Sequence, residues 1–271
     1  MKKERLAHHF MGRTIIKIAL LFITFWGCSL DSNSVSAPSN ENALNILFIG
    51  NSLTYENDLP GILAALIETG EAGPAEIVSA TYPNFGLMDH WGGAGESRAT
   101  IEKGGWDVII MQQGPSATEG RPSLLEYSAL FAQEAEKIDA TPAIYMVWPS
   151  RLRSFDFDGV SESHQMAAEN IDGLLFPVGE AWRKAWKADS TLALYASDDF
   201  HPSVLGSYLG AAVMFEQLTG TAPSSLPVEQ LQKFSNLSRI TATTFSKLHA
   251  AAEEANETFG REVSGWPRDG N

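Results

Sequence analysis

Ser52 stands in the turn Gly50-Asn51-Ser52-Leu53, directly after the apolar run of residues 46–49. A serine hydroxyl is a weak nucleophile until a base takes its proton, and the base needs a partner that fixes its tautomer. Far downstream the chain reads Ser197-Asp198-Asp199-Phe200-His201-Pro202-Ser203, which offers both. His201 is the candidate base, and Asp198, three residues earlier on the same loop, is the candidate orienting carboxylate. The chemistry these three side chains can do is acyl transfer through a covalent acyl-enzyme. Alone, the first stretch would read as a strand-to-helix turn with Ser52 or Thr54 as its cap. The second stretch turns it into a candidate nucleophile.

The two stretches resemble the SGNH hydrolases, the GDSL-like esterase superfamily. The first block of that superfamily, a Gly-Asp-Ser-Leu-like turn, stands here as Gly50-Asn51-Ser52-Leu53, with Asn51 where Asp is commoner. The last block, Asp-x-x-His, is matched by Asp198 and His201. The likeness runs from about residue 44 to about residue 220. It implies a flavodoxin-like three-layer α/β/α fold with a central parallel sheet of about five strands. It also implies ester hydrolysis by a Ser52-His201-Asp198 triad that needs no cofactor.

By the same resemblance, an oxyanion hole would be built from the backbone N–H groups of Ser52 and Gly86. Gly86 lies in Tyr82-Pro83-Asn84-Phe85-Gly86-Leu87, at the position of the second block. The third block, Gly-x-Asn-Asp, is absent, and Gln112-Gln113-Gly114-Pro115-Ser116 stands in its place. Gln113-Gly114-Pro115-Ser116 is similar to the Gln-Gly-Glu-Ser-like turn of some carbohydrate esterases, whereas a glutamine directly after the strand points to Gln112. A glutamine amide donates hydrogen bonds as an asparagine does. The expectation leans to Gln112, because a strand end fixes a donor better than a turn.

The implied substrate is an O-acetyl group on carbohydrate, a small-molecule or polysaccharide ester, with Trp91 and Trp148 as candidate stacking platforms. The rivals are a lysophospholipase or thioesterase acting on longer acyl chains, and a non-catalytic glycan-binding lipoprotein. The intact Ser52, Asp198 and His201 argue against the last of these. No Gly-x-Ser-x-Gly elbow and no His-Glu-x-x-His cluster occurs, so neither an α/β-hydrolase nor a zinc peptidase is indicated.

The elements that must position these residues are legible as runs and periods. Residues 46–49, 77–81, 108–111, 142–148 and 174–179 read as strands buried in a parallel sheet. Residues 59–69, 96–103, 124–138, 162–171, 180–187 and 202–218 read as helices between and after them, and residues 225–260 hold two more helical patterns. Strands alternating with helices predict a parallel sheet covered on both faces. Residues 151–158 read as a loop over the strand ends. His164 and His249 sit in polar helical patterns and are expected to face solvent, and His90 is expected to pack behind the site.

The two ends differ from this middle. Lys2, Lys3, Arg5, Arg13 and Lys17 precede an apolar run at residues 18–26 and then Gly27-Cys28. That pattern resembles a bacterial lipoprotein signal over residues 1–28, with Cys28 as the lipidated first residue of the mature protein. The run is short of the roughly 20 residues a spanning helix needs. Residues 29–43, rich in Ser, Asn, Asp and Pro, read as a flexible tether. A hydrolase domain over 44–262 and a tail over 263–271 complete the organisation. The expected location is the bacterial cell envelope, held to a membrane through Cys28. Cys28 is the only cysteine, so no intramolecular disulfide can form. Residues 1–28 hold five Lys/Arg and one Glu, which leaves 14 basic and 32 acidic side chains in the remainder, about −18. Such a charge argues against nucleic-acid binding. The sequence carries no signal of oligomeric state.

Overall fold

The computed structural model describes residues 37–40, 42–261 and 263. All of these belong to one compact unit, Ser34–Asn271; the second unit, Met1–Asn33, with Cys28 and the expected signal, lies outside the described residues. The packed part begins a little upstream of the expected boundary at residue 44. Ser39 donates its N–H and its hydroxyl to Glu76 Oε2, at 2.9 and 3.0 Å.

Five parallel strands form the sheet: β1 (Leu44–Gly50), β2 (Ala75–Thr81), β3 (Val108–Met111), β4 (Thr141–Tyr145) and β5 (Leu174–Phe176). Their order is β2-β1-β3-β4-β5. Alternate residues along a strand face opposite ways, and β1 shows the consequence directly. Ile46 and Phe48 enter one core, with residues of α2 (Leu59–Thr69), α7 (Val178–Ala188), α8 (Val204–Thr219) and α10 (Ala242–Phe259). Leu47 and Ile49 enter the other, with residues of α3 (Leu87–Trp91), α5 (Arg121–Glu136) and α6 (Phe157–Asn170). The remaining short helices are α1 (Ser52–Tyr55), α4 (Ser97–Ile101) and α9 (Val228–Leu231). This is the three-layer α/β/α arrangement, with two cores separated by one sheet. The order reverses between β1 and β3, and in open α/β sheets ligands bind beyond the carboxyl ends of the strands at such a switch point. Ser52 follows β1 there, and Gln112 and Gln113 follow β3.

Several boundaries differ from those the sequence suggests, each for a local reason. β4 stops at Tyr145, so Trp148 lies beyond the strand. β5 ends at Phe176 because Pro177 has no N–H for the ladder, and α7 starts at once from Val178. α8 begins at Val204, where the Ser203 hydroxyl accepts from the N–H groups of Leu205 and Gly206. Residues 151–156 form a 3₁₀ turn that runs into α6, in place of the expected loop.

Two histidines expected at the surface are buried. His164 Nδ1 donates to the Val160 carbonyl at 2.8 Å, and burial pushes its pKa down to about 4. His249 Nε2 meets the Tyr208 hydroxyl at 2.5 Å, and burial likewise pushes it down to about 4. Both imidazoles are neutral core groups at pH 7.

Candidate active site

The nucleophile turn is fixed from below before Ser52 is reached. A Cβ on Gly50 would lie 2.6 Å from Gln112 Oε1 and 2.7 Å from Thr54 Oγ1, so a side chain there would displace the two groups that brace the turn. Gln112 is buried, and its Oε1 accepts from the Asn51 N–H and the Thr54 hydroxyl, both at 2.9 Å. On the other side, buried His90 sits with Nε2 3.0 Å from the Gly50 carbonyl and Nδ1 2.7 Å from the Ser97 hydroxyl. Burial lowers its pKa, consistent with a neutral ring that donates to Gly50 and accepts from Ser97. His90 therefore supports the site from behind, as expected.

The cap of α1 is Asn51. Its Oδ1 accepts from the Leu53 N–H at 3.0 Å, while its Nδ2 donates to the Phe85 carbonyl at 2.8 Å. Neither Ser52 nor Thr54 is used for capping. Asn in the place of Asp thus ties the nucleophile turn to the loop that carries Gly86. Ser52, at the first position of the helix, has no i−4 carbonyl for its N–H. Its hydroxyl is free for the base.

His201 Nε2 lies 2.8 Å from Ser52 Oγ, across 149 residues of chain. His201 Nδ1 lies 2.5 Å from Asp198 Oδ2. The other oxygen, Asp198 Oδ1, accepts from the backbone N–H groups of Phe200 and His201, at 3.0 and 2.9 Å. The loop is closed on itself by the Ala196 N–H to the His201 carbonyl (2.8 Å) and by a bridge between Tyr195 and Pro202. The hydrogen bond from His201 holds the Asp198 pKa down at about 2 against the opposing effect of burial, with the two backbone N–H groups helping. It is therefore an anion throughout the range in which an imidazole titrates. Asp199 faces the other way, with φ 59°, and its carboxylate accepts from Arg151 Nε at 2.6 Å.

Ser52 opens into a cavity of about 460 Å³ whose walls include Asn51, Gly86, Asp89, Gln113 and Phe200. Gly86 is at φ −96°, which any residue adopts, so a turn geometry does not require glycine here. A Cβ there would meet Gln113 Oε1 at 3.5 Å and Asp89 Oδ2 at 3.7 Å, both cavity walls. Its N–H donates to Asp89 Oδ2 at 2.8 Å. Gly86 has no side chain to complete a capping box, so only the reach of Asp89 back to the N-cap N–H is made.

Gln112 and Gln113 divide in a way the sequence reading did not anticipate. Gln112, the favoured donor, does not line the cavity; it secures the nucleophile turn, and its Nε2 has no partner among the described residues. Gln113 lines the cavity. Its Oε1 accepts from the Leu87 N–H at 3.2 Å, and its Nε2 donates to the Ser116 hydroxyl at 2.6 Å. That leaves one N–H of the amide unspent in the cavity that Ser52 also lines. Trp148 is also reassigned. It is fully buried, stacked on Trp182 at 3.7 Å, and donates Nε1 to the Phe200 carbonyl at 3.0 Å, so it supports the histidine loop and offers no face to a sugar. Trp91 packs edge-on against Phe131 with Arg98 over its ring.

A hydroxyl, an imidazole and a carboxylate joined in line beside hydrogen-bond donors are the arrangement serine hydrolases use for acyl transfer. No protein-family model matches the chain, and neither does any curated protein. Among solved structures it is similar to a protein of Slackia heliotrinireducens assigned to the SGNH hydrolases. That protein is 30% identical, with TM-score 0.56, over 66% of this chain and 100% of the other. A DUF4886 family protein from Bacteroides uniformis is 17% identical with TM-score 0.65, over 79% of this chain and 94% of the other. A lipase/acylhydrolase from Enterococcus faecalis is 13% identical with TM-score 0.53, over 65% and 95%. The last two show the fold. The chain belongs to the SGNH hydrolase family. It is an enzyme of the carboxylic ester hydrolase class.

Proposed function

We propose that the chain removes O-acetyl groups from carbohydrate, using Ser52 as nucleophile, His201 as base and Asp198 as orienter. The observation that carries the reading is the unbroken run of hydrogen bonds from Asp198 through His201 to Ser52, ending at a cavity. Ser52 Oγ attacks the ester carbonyl carbon while His201 Nε2 takes its proton. The carbonyl oxygen becomes an oxyanion facing the Ser52 N–H and the Gln113 amide, with the Gly86 N–H shared between it and Asp89. The C–O bond to the alcohol then breaks, and His201 returns the proton to the departing alkoxide. Water, deprotonated by the same imidazole, attacks the acyl-enzyme and releases the acid with Ser52 restored. Asp198, ionised throughout, stabilises the imidazolium formed in each half.

Support for the carbohydrate comes from Gln113-Gly114-Pro115-Ser116, the turn similar to that of some carbohydrate esterases. In this chain it is bonded internally through Gln113 and Ser116 and lines the cavity. The test is release of acetate from acetylated polysaccharides compared with release of fatty acid from long-chain esters. Acetate release in clear excess is the expected result. Preference for long acyl chains would overturn the carbohydrate reading in favour of a lysophospholipase or thioesterase.

The two glutamines give a sharper expectation. Removing an oxyanion donor costs about 10²–10³ in kcat with little change in KM when the bond forms mainly in the transition state. Gln113→Ala is expected to show that loss. Gln112→Ala leaves a buried backbone N–H without its acceptor, which costs about 1–3 kcal/mol. It is expected to appear chiefly as a lower Tm. Separate measurement of kcat, KM and Tm for both variants checks this, and the opposite pattern would return the donor role to Gln112.

A further inference from the structure

Beside the nucleophile cavity is a second chamber that the proposed chemistry leaves unassigned. This chamber has a volume of about 360 Å³ and shares with the first the wall residues Pro115, Ser116, Gly120 and Phe200. Its size is at the lower end of the roughly 300–1,000 Å³ typical of small-molecule sites, enough for a ring-sized group. Its apolar surface comes from Pro115, Ala117, Pro149 and Phe200. Polar groups gather at one side, where Arg153 Nε donates to Asp156 Oδ2 at 2.5 Å and Arg153 Nη2 donates to Glu119 Oε1 at 2.8 Å.

Which half of an ester would enter follows from the direction of proton transfer, and so rests on the roles proposed for Ser52 and His201. The imidazole must hand its proton to the leaving alkoxide, so the alcohol half lies on the His201 side. The acyl oxygen lies on the side of Gly86 and Gln113. Gly86 and Gln113 line only the first cavity, and the second chamber, bounded by Pro115 and Ser116 on one side, meets the His201 loop at Phe200. The Phe200 ring forms its wall and stands edge-on to the His201 ring, with centroids 5.2 Å apart. The 3₁₀ turn Arg151–Asp156 that brings Arg153 and Asp156 is held to the same loop, through the Arg151 N–H to the Asp199 carbonyl at 2.9 Å.

We propose that this chamber is a subsite for a single sugar ring on the alcohol side of the ester. A pyranose has an apolar C–H face and an edge of hydroxyl groups. The face suits Phe200 and the two prolines. Its hydroxyls suit Glu119 and Asp156, which accept, and the Arg153 N–H groups not spent on them, which donate. An apolar alcohol of the same size would use the floor and leave the charged edge idle. The enzyme therefore reads the alcohol in two parts, shape against Phe200 and hydroxyls against Arg153.

The test uses three acetyl esters that differ only in the alcohol: 6-O-acetylglucose, cyclohexyl acetate and ethyl acetate. The wild-type enzyme is expected to favour the sugar ester, with a higher kcat/KM than either other ester. Loss of a hydrogen bond to a charged group is worth about tenfold. Arg153→Met is therefore expected to lower the sugar-to-ethyl ratio about tenfold, mainly through KM, and to spare the cyclohexyl-to-ethyl ratio. Ser150→Phe, which projects a ring into the chamber from a residue that lines it, is expected to lower both ratios. It also guards against an Arg153 variant that simply misfolds. If the wild-type enzyme cleaves ethyl acetate but neither variant changes either ratio, the subsite is overturned while the hydrolase reading survives. If Ser150→Phe instead selects against longer acyl chains, the chamber belongs to the acyl half and the assignment is wrong. Hydrolysis of none of the three esters would remove the catalytic reading and the subsite with it.

Discussion

Ser52→Ala is expected to abolish hydrolysis of short-chain aryl esters, with a loss of several orders of magnitude in kcat. Triad knockouts leave only the residual catalysis of the oxyanion hole and of binding. The geometry makes this variant unusually clean. The hydroxyl of Ser52 has one partner, His201 Nε2, and the turn around it is held by others. Asn51 caps α1, Thr54 and the Asn51 N–H are fixed on Gln112, and His90 holds the Gly50 carbonyl. Alanine should therefore fold as serine does, and the lost activity will report on chemistry alone. A variant that keeps activity close to wild type, measured as initial rates on a purified sample of unchanged Tm, would sink the nucleophile assignment.

Asp198→Asn is expected to cost about 10⁴ in kcat, the typical penalty for stabilising the wrong tautomer. The reason can be followed atom by atom. Asp198 Oδ1 accepts from two backbone N–H groups, so in the variant the amide oxygen must stay in that position. The amide nitrogen then faces His201 Nδ1 and donates to it. The imidazole proton is driven to Nε2, where it points at Ser52, and the ring can no longer accept the serine proton. Asp199→Asn has no such consequence. Its carboxylate is an exposed partner of Arg151, and its φ of 59° is one that asparagine adopts readily. The comparison is one of kcat for the two variants on the same ester, and a larger loss at Asp199 would overturn the choice of Asp198.

Most of the architecture was legible because its signals are local. The continuous apolar runs of β1 and β3 identify strands buried on both faces, and the Asp-x-x-His spacing places Asp198 and His201 on one loop. What escaped depends on partners distant in sequence or on which way a side chain turns. His249 sits in a polar-looking helix, and nothing nearby announces Tyr208, 41 residues earlier. Trp148 lies near a strand end, where an exposed ring is plausible, but Trp182 covers it from α7. The choice between Gln112 and Gln113 turned on alternation: successive residues leaving a strand point to opposite sides. Proximity to the rigid strand end favoured Gln112, yet that side chain turns inward to the nucleophile turn, and Gln113 turns to the cavity. Gly86 was identified from its block, but the Asp89 carboxylate on its N–H was missed, because a glycine N-cap carries no side-chain signal of the helix start that follows it.

The closed loop from Tyr195 to Pro202 has a further consequence for how the enzyme can fail. Asp198 and His201 are joined within a few residues, like a cartridge, by the Asp198 carboxylate and by the bridge from Tyr195 to Pro202. Ser52 arrives on a separate element, 149 residues earlier in the chain. The two pieces meet at one joint, the hydrogen bond between Ser52 and His201. A small shift between the β1 turn and the cartridge breaks that joint while both halves remain intact. Activity is therefore expected to be lost at milder heating than the folded structure itself, with the loss of kcat preceding the Tm.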